Sequence, residues 1–452
     1  MKTDNISRRD FLKISGAGAA TFSLAACAQK VQNTNGSAAV ESSNGEMPRR
    51  NLIPGENISL LGYGCMRWPM VRKDGKNVVD QEKVDELIDY AIAHGVNYFD
   101  NAPIYLQGQS EEATGKSLAR YPRESYYIAT KLSNQHSPLQ TYEEGVEMYQ
   151  KSRGYFKTDY IDFFLLHDIP GGEKFTHRFI ENGLLDYFLK EREEGRIRYL
   201  GFSFHGDSQG FDEMMVIHEK YHFDFVQIQM NYVDWTHAAQ GNANADYLYN
   251  ELDKREIPVI VMEPLLGGQL SNVPDQIAAN FKTREPEKSI ASWAFRFVAS
   301  HPRVLTTLSG MTYMEHLQDN LETFCNLKPL NDEEYAMLEE SANIIRNYPL
   351  VNCTSCRYCM PCPYGIDIPT IFKHYNNAVN ESAIAESTEQ KDYKKLKKYY
   401  LTTYDKAVES IRQADHCIGC NQCVPKCPQH IRIPQQMQRI DKYVEALKQN
   451  KL

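Results

Sequence analysis

A (β/α)8 TIM barrel followed by a smaller, mainly helical, cysteine-rich domain is predicted for this chain by three observations. Eight short apolar runs alternate with amphipathic helical patterns from Leu60 to about Leu327. Chemically complementary polar residues stand at the C-terminal ends of three consecutive runs. Eight of the eleven cysteines fall in two short runs near the C-terminus.

Before the first strand lies a segment that does not belong to a fold. Ser7-Arg8-Arg9-Asp10-Phe11-Leu12-Lys13 precedes a mildly apolar stretch from Ile14 to Ala26. Paired arginines before a short hydrophobic region resemble a twin-arginine export signal. The stretch is too short and too rich in Gly and Ala to span a bilayer. It ends Leu24-Ala25-Ala26-Cys27, which resembles a bacterial lipobox and implies cleavage before Cys27 and a lipid anchor on its sulfur. The expected location is therefore the extracytoplasmic or periplasmic face of a bacterial membrane. Residues 1–27 are assigned to this signal. Residues 28–50, rich in Asn, Ser, Gly and Ala, read as a flexible tether that cannot bury enough surface to order itself. A formal charge of -9 and a pI near 5.9, with no concentrated basic face, exclude nucleic acid as a partner.

The barrel is assigned to residues 51–330. Its candidate strands are Leu60–Cys65, Asn97–Asn101, Tyr126–Leu132, Tyr160–His167, Ile197–Ser203, Phe225–Asn231, Pro258–Glu263 and Val304–Gly310. Helical patterns lie between them, such as Gln81–His94 with Val84, Leu87, Ile88 and Ala91 on one face. Eight such units in roughly 270 residues is the count for a TIM barrel, whose strands are buried on both faces. A doubly wound open sheet is the competing architecture, but no G-x-G-x-x-G follows the first strand. Asp100, Lys131 and His167 end strands two, three and four, and Tyr105 follows strand two. Active sites of these barrels form at that face.

The segments Phe99-Asp100-Asn101-Ala102-Pro103-Ile104-Tyr105, Ala129-Thr130-Lys131 and Leu165-Leu166-His167 resemble those of aldo/keto reductases, in order and spacing. The resemblance covers roughly Leu52 to Leu327. It implies that Tyr105 is the general acid that protonates a substrate carbonyl. It also implies that Lys131, held by Asp100, favours the phenolate, and that His167 orients the carbonyl. For a dinucleotide, NADP or NAD, it implies Ser203 and Gln227 as amide ligands. Met262, Pro264 and Leu265 stand where the family has Tyr-Ser-Pro-Leu, and Gly310 and Asn320 at the adenosine end. This chain has Gly201-Phe202-Ser203-Phe204-His205 where an asparagine follows the serine, and Ser309–Asn320 contains no Lys or Arg to grip a 2′-phosphate.

Residues 331–452 hold the cysteine runs: Cys353, Cys356, Cys359 and Cys362, then Pro363, and Cys417, Cys420, Cys423 and Cys427, then Pro428. The second matches the bacterial C-x2-C-x2-C-x3-C-P signature of cubane clusters, while the first is one residue shorter before its last cysteine. Structural zincs usually show separated C-x2-C pairs, and disulfides are awkward at this spacing. Both runs lead into a similar phrase, Gly365-Ile366-Asp367-Ile368-Pro369 and His430-Ile431-Arg432-Ile433-Pro434. The pair resembles a ferredoxin-like module with two [4Fe-4S] clusters. In such proteins the fourth cysteine of each run serves the other cluster. That implies one site from Cys353, Cys356, Cys359 and Cys427, and another from Cys417, Cys420, Cys423 and Cys362. Cys65 and Cys325 read as small buried hydrophobes.

Two functions follow from these parts. One is an enzyme interconverting a carbonyl and an alcohol, with electrons carried by clusters to or from a membrane or soluble redox partner. The other is an exported electron-transfer lipoprotein whose barrel binds a ligand or partner. Nicotinamides pass hydride and clusters pass single electrons, so the two halves need a mediator or a substrate that tolerates a radical.

Overall fold

The computed structural model describes residues 45–135, 141–239 and 241–452. The export signal, Cys27 and most of the tether lie outside the described residues. Eight parallel strands close a barrel in sequence order: β1 Leu61–Gly64, β2 Tyr98–Asp100, β3 Tyr127–Leu132, β4 Ile161–Ile169, β5 Ile197–Phe204, β6 Phe225–Gln229, β7 Val259–Met262 and β8 Val304–Ser309. All eight expected strands are present, with ends shifted by one or two residues. Between β1 and β2, helix α1 (Gln81–Ala93) is capped by Asp80, whose side chain accepts from the Lys83 N–H, and buries Val84, Leu87, Ile88 and Ala91 against the barrel. Each such side chain contributes about 1.5–3 kcal/mol when fully buried, less for alanine.

Strand periodicity decides what faces the barrel axis. Tyr98, Ala129, Phe163, Leu165, Phe225, Ile260 and Leu305 form one buried cluster inside the barrel, apart from the larger core under the helices. Two residues further along the same strand faces come Asp100, Lys131, His167, Gln227 and Met262. Alternation therefore aims the functional side chains at the axis, one layer above an apolar floor. Register fixes their mutual height: Gly64 pairs with Asp100, Asp100 with Ala129, Lys131 with Leu165 and Ser203 with Gln227.

Two expected boundaries move. Arg49–Arg50 pairs antiparallel with Ile58–Ser59 across the bottom of the barrel, where the tether was expected to continue to Arg50. The reason is that Arg50 is buried and donates to the carbonyls of Ala299 and Pro302, at 3.0 and 2.9 Å. Helix α2 (Asp332–Asn347), expected in the second domain, carries Met337, Leu338, Ala342 and Ile345 into the barrel's core. A capping box between Asn331 and Glu334 starts it, and Glu334 pairs with buried Arg296 at 2.8 Å. The second core begins at Val351. It is built by α3 (Ile368–Asn380), α4 (Tyr393–Ala407) and α5 (Ile433–Gln449). Helix α4 stops at Ala407 and gives way to short 3-10 turns. Among the described residues, no helix is long and apolar enough to cross a membrane.

Candidate active site

At the C-terminal mouth of the barrel, Lys131 is fully buried and ends in three bonds. Its Nζ donates to Asp100 Oδ1 at 2.6 Å, to Asp100 Oδ2 at 2.7 Å and to the Asn101 carbonyl at 2.7 Å. An ammonium has three donors, and all three are used. Burial pulls Lys131 down and pushes Asp100 up from their ordinary ranges, and each is held back by the other's charge. The Lys131 Nζ stands 5.0 Å from the centroid of the Tyr105 ring. Tyr105 is presented by a 3-10 turn followed by left-handed Leu106 and Gln107, at φ 52° and 60°.

The Tyr105 phenol is raised well above its ordinary value, first by burial and then by Asp100 and Tyr358. The charge of Lys131, expected to favour the phenolate, is one influence on this group, and burial is the larger one. The lysine's charge is already neutralised by Asp100, and desolvation outweighs the remainder. Tyr105 is a neutral phenol over the whole physiological range. His167 meets it edge-on at 6.3 Å between ring centroids. The imidazole Nδ1 is 2.7 Å from Ser133 Oγ, which fixes the ring's orientation. The structure thus brings Asp100, Tyr105, Lys131 and His167 into one buried group.

The residues expected to hold a dinucleotide are present but differently engaged. Ser203 is buried, and its Oγ accepts from the Asp168 N–H at 2.9 Å. Gln227 is buried with Oε1 unpaired among the described residues. Met262 and Leu265 are half-buried and Pro264 is buried. Asn320 donates to Ser309 Oγ at 2.8 Å, and Gly310 lies under Arg67, whose Cδ would be 2.9 Å from an added Cβ. In this fold a phosphate is frequently held by the loops after strands seven and eight. Here the polypeptide of the first cysteine run packs on the loop after β7. An added Cβ on Gly267 would stand 2.2 Å from Thr354 Cα. Arg67 Nη2 donates to the carbonyls of Thr354 and Gly267, at 2.7 and 3.4 Å. Gln269 Nε2 donates to the Cys353 carbonyl at 3.3 Å. The loop after β7 is thus packed against polypeptide where a diphosphate would otherwise sit.

Sequence reasoning missed what sits in the mouth instead. Tyr358, between Cys356 and Cys359, meets His167 edge-on at 6.5 Å between centroids. Nothing in the run marks it, because its partner is about 190 residues away in a different domain. Glu263, also unmarked, adopts φ 55° just beyond β7. Burial raises its carboxyl, against Arg67, the Gly267 N–H and the Thr354 hydroxyl.

The first run curls through left-handed Ser355 and Arg357 (φ 54° and 68°). Cys353, Cys356 and Cys359, with Cys427 from the second run, line one cavity walled by Ile368, Phe372, Ile431 and Ile433. Four thiols around one apolar-walled space fit an iron–sulfur cube. Burial, followed by Cys417, Cys420 and Cys362, raises Cys423 to about 11. Cys65 and Cys325 are buried, as expected.

Comparison with known proteins agrees with this architecture. Residues 60–343 match the model of the aldo/keto reductase family, 352–433 a 4Fe-4S dicluster domain, and 5–25 a twin-arginine translocation pathway signal. The uncharacterized oxidoreductase YqkF of Bacillus subtilis is 24% identical over 316 residues, covering 63% of this chain and 92% of its own. L-galactose dehydrogenase of Arabidopsis thaliana is 22% identical over 306 residues, covering 64% and 91%. Among solved structures, the holo form of aldo-keto reductase AKR11C1 from Bacillus halodurans aligns with TM-score 0.53 and 21% identity, over 66% of this chain and 96% of that one. An aldo-keto reductase from Klebsiella pneumoniae in complex with NADPH aligns with TM-score 0.51 and 21% identity, over 65% and 94%. These two likenesses concern the fold.

Proposed function

This chain belongs to the aldo/keto reductase family and carries a 4Fe-4S dicluster domain and a twin-arginine export signal; from that premise we propose that it interconverts a carbonyl and an alcohol at Tyr105, Lys131, Asp100 and His167. The observation that carries this reading is the buried group itself: a neutral phenol, edge-on to an imidazole, beside a fully bonded lysine–carboxylate pair. In the direction of reduction, Tyr105 gives its proton to the carbonyl oxygen. His167, held by Ser133, orients that oxygen. Lys131 and Asp100 keep a compact dipole behind the phenol and exclude water from it.

Two [4Fe-4S] clusters, when bound, supply electrons one at a time. Cys353, Cys356, Cys359 and Cys427 would hold one, and Cys417, Cys420, Cys423 and Cys362 the other. The first set is supported by the cavity those four thiols share. NADP and NAD have no part in this reading, because the polypeptide of the first cysteine run packs on the loop after β7. Cys27 would carry a lipid that holds the protein at the outer face of the membrane.

The test uses anaerobically purified holoprotein, reduced methyl viologen as donor, and a panel of aldehydes and ketones. Carbonyl-dependent viologen oxidation in the wild type, lost in Tyr105→Phe with iron content unchanged, supports the enzyme. Equal rates in both proteins, or none with any carbonyl, leave the second reading, an electron-transfer protein whose barrel binds a ligand. The covered mouth is what favours that alternative.

A further inference from the structure

We propose that the loop of the first cysteine run takes the place of the dinucleotide, and that Tyr358 on that loop couples the adjacent cluster to the barrel's carbonyl site. The inference rests on the function proposed above and names its electron source. Three rings form an unbroken series. Tyr358 meets His167 at 6.5 Å and 85°, and His167 meets Tyr105 at 6.3 Å and 82°. Tyr358 lies two residues after Cys356 and immediately before Cys359, both lining the first cluster cavity. Tyr358 therefore stands in the chain between two cavity-lining cysteines and with its ring against His167.

The loop is clamped to the barrel on several sides. Thr354 lies flat on Gly267, which has φ +68° and room for no side chain. Arg67 and Gln269 hold the carbonyls of Thr354 and Cys353. From the second run, Gln429 Nε2 donates to Gln229 Oε1 at 2.8 Å, and Asn242 Nδ2 donates to the Pro428 carbonyl at 3.2 Å. Clamping of this kind suits a fixed conduit better than a lid that lifts for a diffusing cofactor.

The chemistry restricts the substrate class. Reduction of C=O to CH–OH takes two electrons and two protons. One electron comes from each reduced cluster, which an external low-potential one-electron carrier refills. The C–O π bond breaks. An O–H bond forms with the Tyr105 proton, and a C–H bond forms with a proton passed through His167. Between the two transfers the substrate holds an unpaired electron, so the carbonyl is one conjugated to a second π system, such as an α-dicarbonyl or an aryl ketone.

The experiment uses the reduced holoprotein and has two arms. In the first, NADH and NADPH are titrated and bound dinucleotide is measured by equilibrium dialysis. No saturable binding is expected, and binding at one per chain overturns the proposal. In the second, 1-phenylpropane-1,2-dione is added and the loss of the reduced-cluster electron paramagnetic resonance signal is timed. Wild type and Tyr358→Phe are expected to reoxidise alike. Tyr358→Leu is expected to slow by about tenfold or more with iron content and cluster potentials unchanged. Equal rates for Tyr358→Leu and wild type, or no reoxidation of the wild type, overturn the proposal. Tyr105→Phe separates the two readings. If it blocks reoxidation while Tyr358→Leu does not, the carbonyl site stands and only the conduit fails.

Discussion

Lys131 spends its three donors away from Tyr105, two on Asp100 and one on the Asn101 carbonyl. Burial raises the Tyr105 phenol, and in the proposed reaction it acts as a neutral acid. Tyr105→Phe, which keeps the ring and removes the proton, should lower turnover by about 10²–10⁴-fold in steady-state assays. Lys131→Met strands a buried carboxylate, so denaturant unfolding should show a loss of about 3–5 kcal/mol. Glu111 sits behind the site, buried and bonded to the Thr130 hydroxyl. Burial, against bonds from Thr130 and Ser152, raises its carboxyl from 4.5 to about 7. The folded chain then binds this proton more tightly than the unfolded one. Its contribution to stability is therefore lost as pH rises from 4.5 to 7, on the order of 3 kcal/mol in all. Glu111→Gln should flatten that slope, as measured by denaturation at pH 5 and pH 8.

At the scale of elements, the ends of apolar runs did most to make the site legible. Asp100, Lys131 and His167 close consecutive buried runs, and that position is visible in a sequence without any tertiary knowledge. What sequence could not show depends on contacts between distant segments. Arg50 is drawn into a ribbon by carbonyls some 250 residues away, and α2 joins the barrel because its apolar stripe matches that core. Thr354 on Gly267 and Tyr358 on His167 belong to the same class, since no local pattern records where one domain lands on another. For Lys131 and Tyr105, proximity and the hold of Asp100 were readable, but the third bond to the Asn101 carbonyl and the depth of burial were not. Gly267→Ala tests the docking directly. Its Cβ would enter the Thr354 backbone at a left-handed φ, so the second domain should become more sensitive to limited proteolysis while the barrel keeps its far-ultraviolet circular dichroism.

Over the whole molecule, the two cysteine groups differ in exposure, and the difference gives a direction. Cys420 is exposed beside Ile418 and Ile411, which are 64% and 70% exposed, whereas the cavity with Cys353, Cys356 and Cys359 is pressed toward the barrel. Electrons would arrive at the outer group from a partner and leave through the inner one. Because Cys427 crosses from the second run, Cys427→Ser should remove the inner cluster and about half of the iron, leaving the outer one reducible. The most direct measurement is the electron balance of a single turnover. Photoreduced holoprotein, free of nicotinamide, is mixed anaerobically with 1-phenylpropane-1,2-dione, and cluster absorbance and hydroxyketone are followed together. The account predicts one hydroxyketone for every two electrons leaving the clusters. Clusters that stay reduced while NADPH drives the same reduction would contradict it.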